Sequence, residues 1–137
     1  LAALLCSNAS VVRETSEDGE AKWVPSGNSS EVPIVVAAGK LGLWAADLQG
    51  VFPRMLEVPF SSSRKMMLTV CSTSGRTTLG EGGALLPLET SVLTCVKGAP
   101  NYVLNACSTW VTSDGCIMPL TDEALLDALR TVDALSS

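Results

Sequence analysis

Residues 55–71, MLEVPFSSSRKMMLTVC, decide how the chain is read. Leu56, Val58 and Phe60 alternate with Met55, Glu57 and Pro59, the period-two pattern of a strand whose two faces meet different surroundings. Ser61, Ser62 and Ser63 interrupt the run. Alternation then resumes from Lys65 to Cys71, with Met66, Leu68 and Val70 on one face and Met67, Thr69 and Cys71 on the other. An antiparallel pair joined by a short polar bend is the expected product.

Working outward, Ser91 to Lys97 reads as a further strand, and Gly98-Ala99-Pro100 turns it into a helix through Cys107. Pro100 stands near the first helical position, where a missing N–H does no harm. Trp110–Thr112 and Cys116–Met118, joined by Ser113-Asp114-Gly115, suggest a small hairpin. A last helix begins at Thr121 as N-cap, with Asp122 and Glu123 complementing its dipole and Leu125, Leu126, Leu129 and Val132 as its apolar stripe. Residues 74–90 carry Gly75, Gly80, Gly82, Gly83 and Pro87 and predict a long surface loop. Toward the N-terminus, the first ten residues read as a short helix, Arg13–Lys22 as a polar stretch whose Glu17-Asp18-Gly19-Glu20 run suggests a solvated turn, and Trp23-Val24 as a brief strand. Ser29 or Ser30 then caps a helix with Ile34, Val35, Ala38 and Leu41 on one face, running to about Trp44. Strands and helices mixed without regular βαβ alternation imply an α+β fold, read as one domain over residues 1–137.

Composition narrows the chemistry. A hydrophobic fraction of 47% with 17% charged residues suits a folded chain, and 137 residues suffice to bury a core. A net charge of −5 argues against a general nucleic-acid binder, which depends on clustered Lys and Arg. The absence of His removes the usual Ser-His, Cys-His and His-metal sites. Five widely spaced Cys form no C-x-x-C pair, favouring reduced and mostly buried thiols over a disulfide framework or structural zinc. No apolar run reaches the ~18–20 residues that cross a bilayer, so no membrane contact is expected of this stretch. The start, Leu1-Ala-Ala-Leu-Leu-Cys, lies within a helical-looking pattern without Met, which suggests a piece of a longer polypeptide.

Two segments carry specific chemistry: Pro59–Met67, and Lys97-Gly98-Ala99-Pro100 followed by Val103-Leu104 and Cys107. With Ser30-Glu31 they resemble the nucleotide-binding domain of P-type cation-transporting ATPases, above all the calcium, magnesium and sodium/potassium pump branches. The resemblance covers most of the chain and rests on an F-S-x-x-R-K-x-M segment and a K-G-A-P…(I/V)-L-x-x-C segment in the family's order. It implies a twisted antiparallel sheet flanked by helices, in a cytoplasmic domain of an integral membrane protein. Its implied role is to hold ATP and present it to an aspartate on a separate phosphorylation domain, with Mg²⁺ assisting in the full pump. The phosphorylation and actuator domains of the same parent chain are the implied partners.

Carried onto this sequence, the resemblance makes Phe60 the ring that stacks on the purine, a contact worth roughly 1–3 kcal/mol in other base-binding sites. Lys65 is expected at the adenosine or phosphate portion, Ser62 at the phosphates, and Lys97 at the back of the pocket. Gly98 and Ala99 would let a ligand approach the main chain, Glu31 would accept a hydrogen bond from the adenine amino group, and Met67 would pack beside the ring. Each also has a plain alternative: core packing for Phe60 and Met67, ordinary exposure for the lysines, a simple turn for Gly98-Ala99, and a dipole-complementing carboxylate for Glu31.

The sequence departs from the family pattern at Ser62, often Arg in calcium pumps, and at Asn101, where Glu follows K-G-A-P. Val32 stands where the heavy-metal branch has His. Gly80–Leu86 resembles a phosphate loop but lacks G-x-x-x-x-G-K-[ST], and Asp122, Glu123 and Asp127 read as a solvated helix face instead of a cation site. The D-K-T-G-T phosphorylation motif is absent, so binding without appreciable hydrolysis is expected. The alternative is a protein-interaction domain of the same fold with weakened nucleotide binding. A free-standing enzyme would need a paired nucleophile and base that the sequence does not offer.

Overall fold

The computed structural model describes residues 1–15, 18–73 and 91–136, so the loop expected over 74–90 lies outside the described residues. The elements follow in the order α1 (Ala2–Leu5), β1 (Ser10–Thr15), β2 (Ala21–Ser26), α2 (Val32–Lys40), α3 (Ala45–Val51), β3 (Arg54–Val58), β4 (Met66–Ser72), β5 (Val92–Gly98), α4 (Pro100–Asn105), β6 (Thr109–Val111), β7 (Ile117–Pro119) and α5 (Asp122–Ser136). The fold is α+β, with small antiparallel sheets accompanied by helices. Two compact units emerge: Leu1–Val58 with Leu68–Val96, and Pro59–Met67 with Lys97–Ser137. Among the described residues no single helix is long and apolar enough to cross a membrane.

In the first unit, β1 and β2 form an antiparallel hairpin in which Arg13 faces Trp23 and Glu14 faces Lys22. β1 thus runs into the polar stretch where no strand was expected, because its exposed residues show no alternation to read, while β2 contains the brief strand expected at Trp23-Val24. Cross-strand opposite charges and the stacking of Trp23 on Trp44, with ring centroids 5.0 Å apart, supply the order instead. The helix expected over the first ten residues is likewise shorter, Ala2–Leu5, since Ser10 already belongs to β1.

Helix α2 stops at Lys40, before the expected end near Trp44. Gly42 takes a φ of +79°, while its N–H bonds Gly39 O and that of Leu43 bonds Ala38 O. This pair of bonds satisfies carbonyls left open at the helix end, and a left-handed glycine makes the geometry available. At the other end Glu31, not Ser29 or Ser30, is the N-cap, and Asn28 Oδ1 instead takes the N–H and hydroxyl of Ser30. Helix α3 was not anticipated: AADLQGV is too short to develop a readable period.

The expected strand pair is β3 and β4, antiparallel, with β5 next to β4 in a three-stranded sheet. The register shifts between Arg54 and Leu56. Along β4 the face carrying Met67, Thr69 and Cys71 is buried, and the more apolar face of Met66, Leu68 and Val70 is only half-buried. Thr69 satisfies its hydroxyl inside by donating to Leu5 O at 3.2 Å. Leu4, Leu5, Val35, Leu48 and Phe52 complete this unit's core, each burial contributing about 1.5–3 kcal/mol.

The second unit holds the first two residues of β4, the last two of β5, and everything from α4 onward. The expected hairpin is β6–β7, with Trp110 opposite Met118 and Val111 opposite Ile117. Its turn is set by Gly115 at φ +85° and by Asp114, which accepts hydrogen bonds from Thr112 Oγ1 and the Cys116 N–H. Those bonds, Thr112 first, hold the exposed Asp114 carboxyl below its usual pKa. Thr121 caps α5 by accepting the Ala124 N–H at 3.3 Å. Of the expected apolar stripe, Leu125, Leu129 and Val132 are half-buried, whereas Leu126 is exposed and Ala128 takes the inner place.

Candidate functional site

Strand β3 ends at Val58, and Pro59 follows it, bringing no N–H to continue a ladder. Phe60 comes next and is 56% exposed, which leaves much of its ring open to solvent. Ser61 to Arg64 then fold into a turn closed by Lys65 N–H to Ser61 O at 2.8 Å, with the Arg64 N–H on Ser61 Oγ and the Arg64 guanidinium on Pro59 O. Lys65 has a φ of +57°, the one left-handed non-glycine residue among those described. A backbone there is sparsely populated for a residue with a Cβ, so the surrounding bonds must hold it. Ser62 sits exposed at the tip of the turn.

The second motif meets the first through main chain. Ala99 N–H donates to Lys65 O at 2.9 Å. Beside that bond, a Cβ placed on Gly98 would lie 2.8 Å from Met66 Cα and Met66 Cγ and would press on the Lys65 carbonyl. Two segments more than thirty residues apart in sequence are therefore joined at Lys65–Met66 and Gly98–Ala99. The smallness of Gly98 is filled by neighbouring backbone on that side. Gly98 also lines an open, largely apolar hollow of about 390 Å³ with Lys97, Pro100, Val103, Leu104, Ala128 and Val132. Phe60 and Lys65 are not part of that lining.

The remaining expected residues stand elsewhere. Glu31 belongs to the first unit, where its Oε2 accepts the N–H of Asn8 at 2.8 Å and of Ala9 at 3.0 Å. Its carboxylate thus has a structural duty in the loop after α1. Met67 is 3% exposed and offers almost no surface to a ligand. Phe60, Ser62, Lys65, Lys97, Gly98 and Ala99 all fall in the second unit.

Sequence reading missed Arg54. Its guanidinium donates to Leu5 O, Ser7 O and Asn8 Oδ1 and pairs with Glu57 at 2.7 Å. Residues three apart on a regular strand face opposite ways; the irregularity between Arg54 and Leu56 changes the phase and brings this pair together. No alternation pattern announces it. Arg54 and Cys71 also line a hollow of about 490 Å³ in the first unit, but its guanidinium is committed to the bonds just named. Burial, with the Cys71 and Cys6 thiols as neighbours, pushes the Cys95 thiol up to about 11, and burial also raises Cys71 against the opposing pull of Arg54. Among the described residues no cluster of His, Cys, Asp or Glu is arranged to hold a metal ion.

Comparison with known proteins gives a consistent result. The family model for the P-type ATPase cytoplasmic domain N matches residues 1–137. The chain is similar to the calcium-transporting ATPase 1 of Lactococcus lactis, 30% identical over 89% of this chain and 11% of that protein. It is 31% identical to the probable cation-transporting ATPase F of Mycobacterium bovis, over 96% of this chain and 12% of that protein. A P-type sodium-transporting ATPase4 of Toxoplasma gondii is 40% identical over 61% of this chain and 7% of that protein. The chain thus spans about an eighth or less of the length of these relatives.

Proposed function

The chain belongs to the P-type ATPase cytoplasmic domain N family, and from that premise we propose that its 137 residues act as the ATP-binding domain of a cation-transporting membrane pump. In this reading Phe60 stacks on the adenine ring, Lys65 and Ser62 attend the phosphate side, Lys97 forms the opposing wall, and Gly98 and Ala99 tie the second motif to the turn that carries Lys65. One observation carries it: a largely exposed phenylalanine opens a turn whose Lys65 carbonyl is bonded to Ala99 of the second motif. An exposed aromatic ring can stack on a planar base, and a lysine five residues further along the same turn can supply the charge that an anionic ligand calls for. Glu31 and Met67 enter less directly, the first through its hold on Asn8 and Ala9, the second as buried support.

Catalysis of phosphoryl transfer in such a pump is mostly positioning and electrostatic stabilisation, and this domain supplies the positioning. The acceptor aspartate would come from the phosphorylation domain of the parent chain. The described residues do not fit a metal site, so Mg²⁺ is assigned to the phosphates and that neighbouring domain.

Calorimetric titration of the chain with ATP tests the reading. Saturable binding is expected, with Phe60→Ala weakening it by roughly 5- to 150-fold, the equivalent of a 1–3 kcal/mol stacking contact. Binding unchanged by that substitution refutes the stacking role. The chain alone should release no phosphate from ATP above background, and a release signal abolished by Phe60→Ala would contradict the division of labour proposed.

A further inference from the structure

We infer that Gly98 is a positioning residue for Lys65: its missing side chain makes room for the neighbouring backbone, and this holds the Lys65 ammonium toward the phosphates of the nucleotide. The inference rests on the ATP-binding reading above. It differs from the expectation that Gly98 is small so that the ligand can come close.

The geometry runs in one direction. Lys65 keeps a left-handed backbone at φ +57°, which a residue with a Cβ leaves unless it is held. Its N–H is bonded to Ser61 O and its carbonyl to the Ala99 N–H, so both of its backbone polar groups are committed. A Cβ at Gly98 would press on that same carbonyl and stand 2.8 Å from Met66 Cα, and both are main-chain atoms that cannot swing aside. A methyl group there must turn the Lys65–Met66 peptide or separate the segments. Either change frees Lys65 to leave the left-handed region, and the direction of its Cα–Cβ bond changes with it. The side chain then points away from its former target, a displacement that its flexible stem only partly recovers.

Affinities for ATP and for adenosine, measured side by side, separate the two roles. For Gly98→Ala the inference expects ATP binding to fall roughly fivefold, the scale of one exposed charge contact, with adenosine binding unchanged. Lys65→Asn, which tolerates the left-handed backbone but lacks the charge, should reproduce that pattern, and the double variant should lose no more than either single one. Equal losses of ATP and adenosine in Gly98→Ala, or losses that add in the double variant, overturn it. If Gly98→Ala does not fold, Ala99→Pro takes its place. It removes the N–H that holds the Lys65 carbonyl, at a residue whose φ of −61° and ψ of 130° already suit proline. The same selective loss of ATP supports the inference, and a parallel loss of adenosine overturns it. A wild-type chain that binds neither ligand refutes the ATP-binding reading itself, whereas one that binds both without the selective pattern refutes only the part given to Gly98.

Discussion

The two phenylalanines of this chain sit eight residues apart and serve opposite ends. Phe52, in the first unit, is 3% exposed, whereas Phe60, in the second, is 56% exposed. The contrast extends to the units themselves. Among the described residues every buried apolar side chain except Met67 belongs to the first unit. The second unit leaves Phe60, Tyr102, Trp110, Val111, Ile117 and Met118 largely open. The first unit builds a core and still exposes residues such as Leu41 and Met55, whereas the second, Met67 apart, buries no apolar side chain among the described residues. Substitutions in the first should therefore act on stability and those in the second on binding.

Thiol chemistry gives the largest contrast. Cys6, Cys71 and Cys95 are buried in the first unit, and Cys107 and Cys116 are exposed in the second. An aromatic disulfide reagent should label two thiols at once and the other three at least about a hundredfold more slowly, because these wait for an opening of the fold. Labelling of all five at one rate breaks the comparison. The buried thiols also carry a pH dependence. Burial raises Cys95 from 9.0 to about 11, so the unfolded chain ionises first and gains on the native state. Stability is then full below pH 9 and declines as pH rises toward 11, a loss that Cys95→Ser should reduce in urea melts.

Next in size is the phenylalanine pair. Phe52→Ala should lower unfolding free energy by about 3–5 kcal/mol, through lost transfer energy and an unfilled cavity. Phe60→Ala should change it by no more than about 0.5 kcal/mol while weakening ATP binding. Denaturant melts and calorimetry on both variants decide this, and a large stability loss in Phe60→Ala would erase the distinction. Glu31 sharpens the same line at a smaller scale. Glu31→Ala strips an acceptor from the N–H groups of Asn8 and Ala9 and should destabilise by about 1–2 kcal/mol. Glu31→Gln keeps an acceptor oxygen and should recover most of that loss; equal damage in both would mean that the charge, and not the acceptor, matters.

How much of this was legible in the sequence depended on whether the signal was local. β3, β4, the β6–β7 hairpin and the Thr121 cap follow from alternation, a Gly-containing turn and a capping side chain, all read within a few residues. β1 was not legible, and of β2 only Trp23-Val24 was, since their order rests on pairing across the hairpin and on Trp23 reaching Trp44, a contact that no local period encodes. The register shift in β3 hid Arg54 in the same way. At the candidate site the residue types were readable, but their company was not. Glu31 is engaged with loop backbone and Met67 is sealed, because a motif names side chains without stating which neighbours claim them first.

The smallest effect is the one that most directly separates binding from folding in the second unit. Lys65 holds a left-handed backbone that glycine would adopt without steric cost. Lys65→Gly removes a strain of about 1–2 kcal/mol from the native state. It also gives the unfolded chain more freedom, which offsets roughly 0.5–1 kcal/mol of that gain. The net expectation is a stability unchanged or raised by up to about 1 kcal/mol, together with weaker ATP binding. A structural lysine would show the opposite pairing, with stability lost and affinity kept. Two melts and two titrations therefore suffice, and a clear destabilisation of Lys65→Gly would place Lys65 with the core residues of the first unit, not with the exposed ring of Phe60.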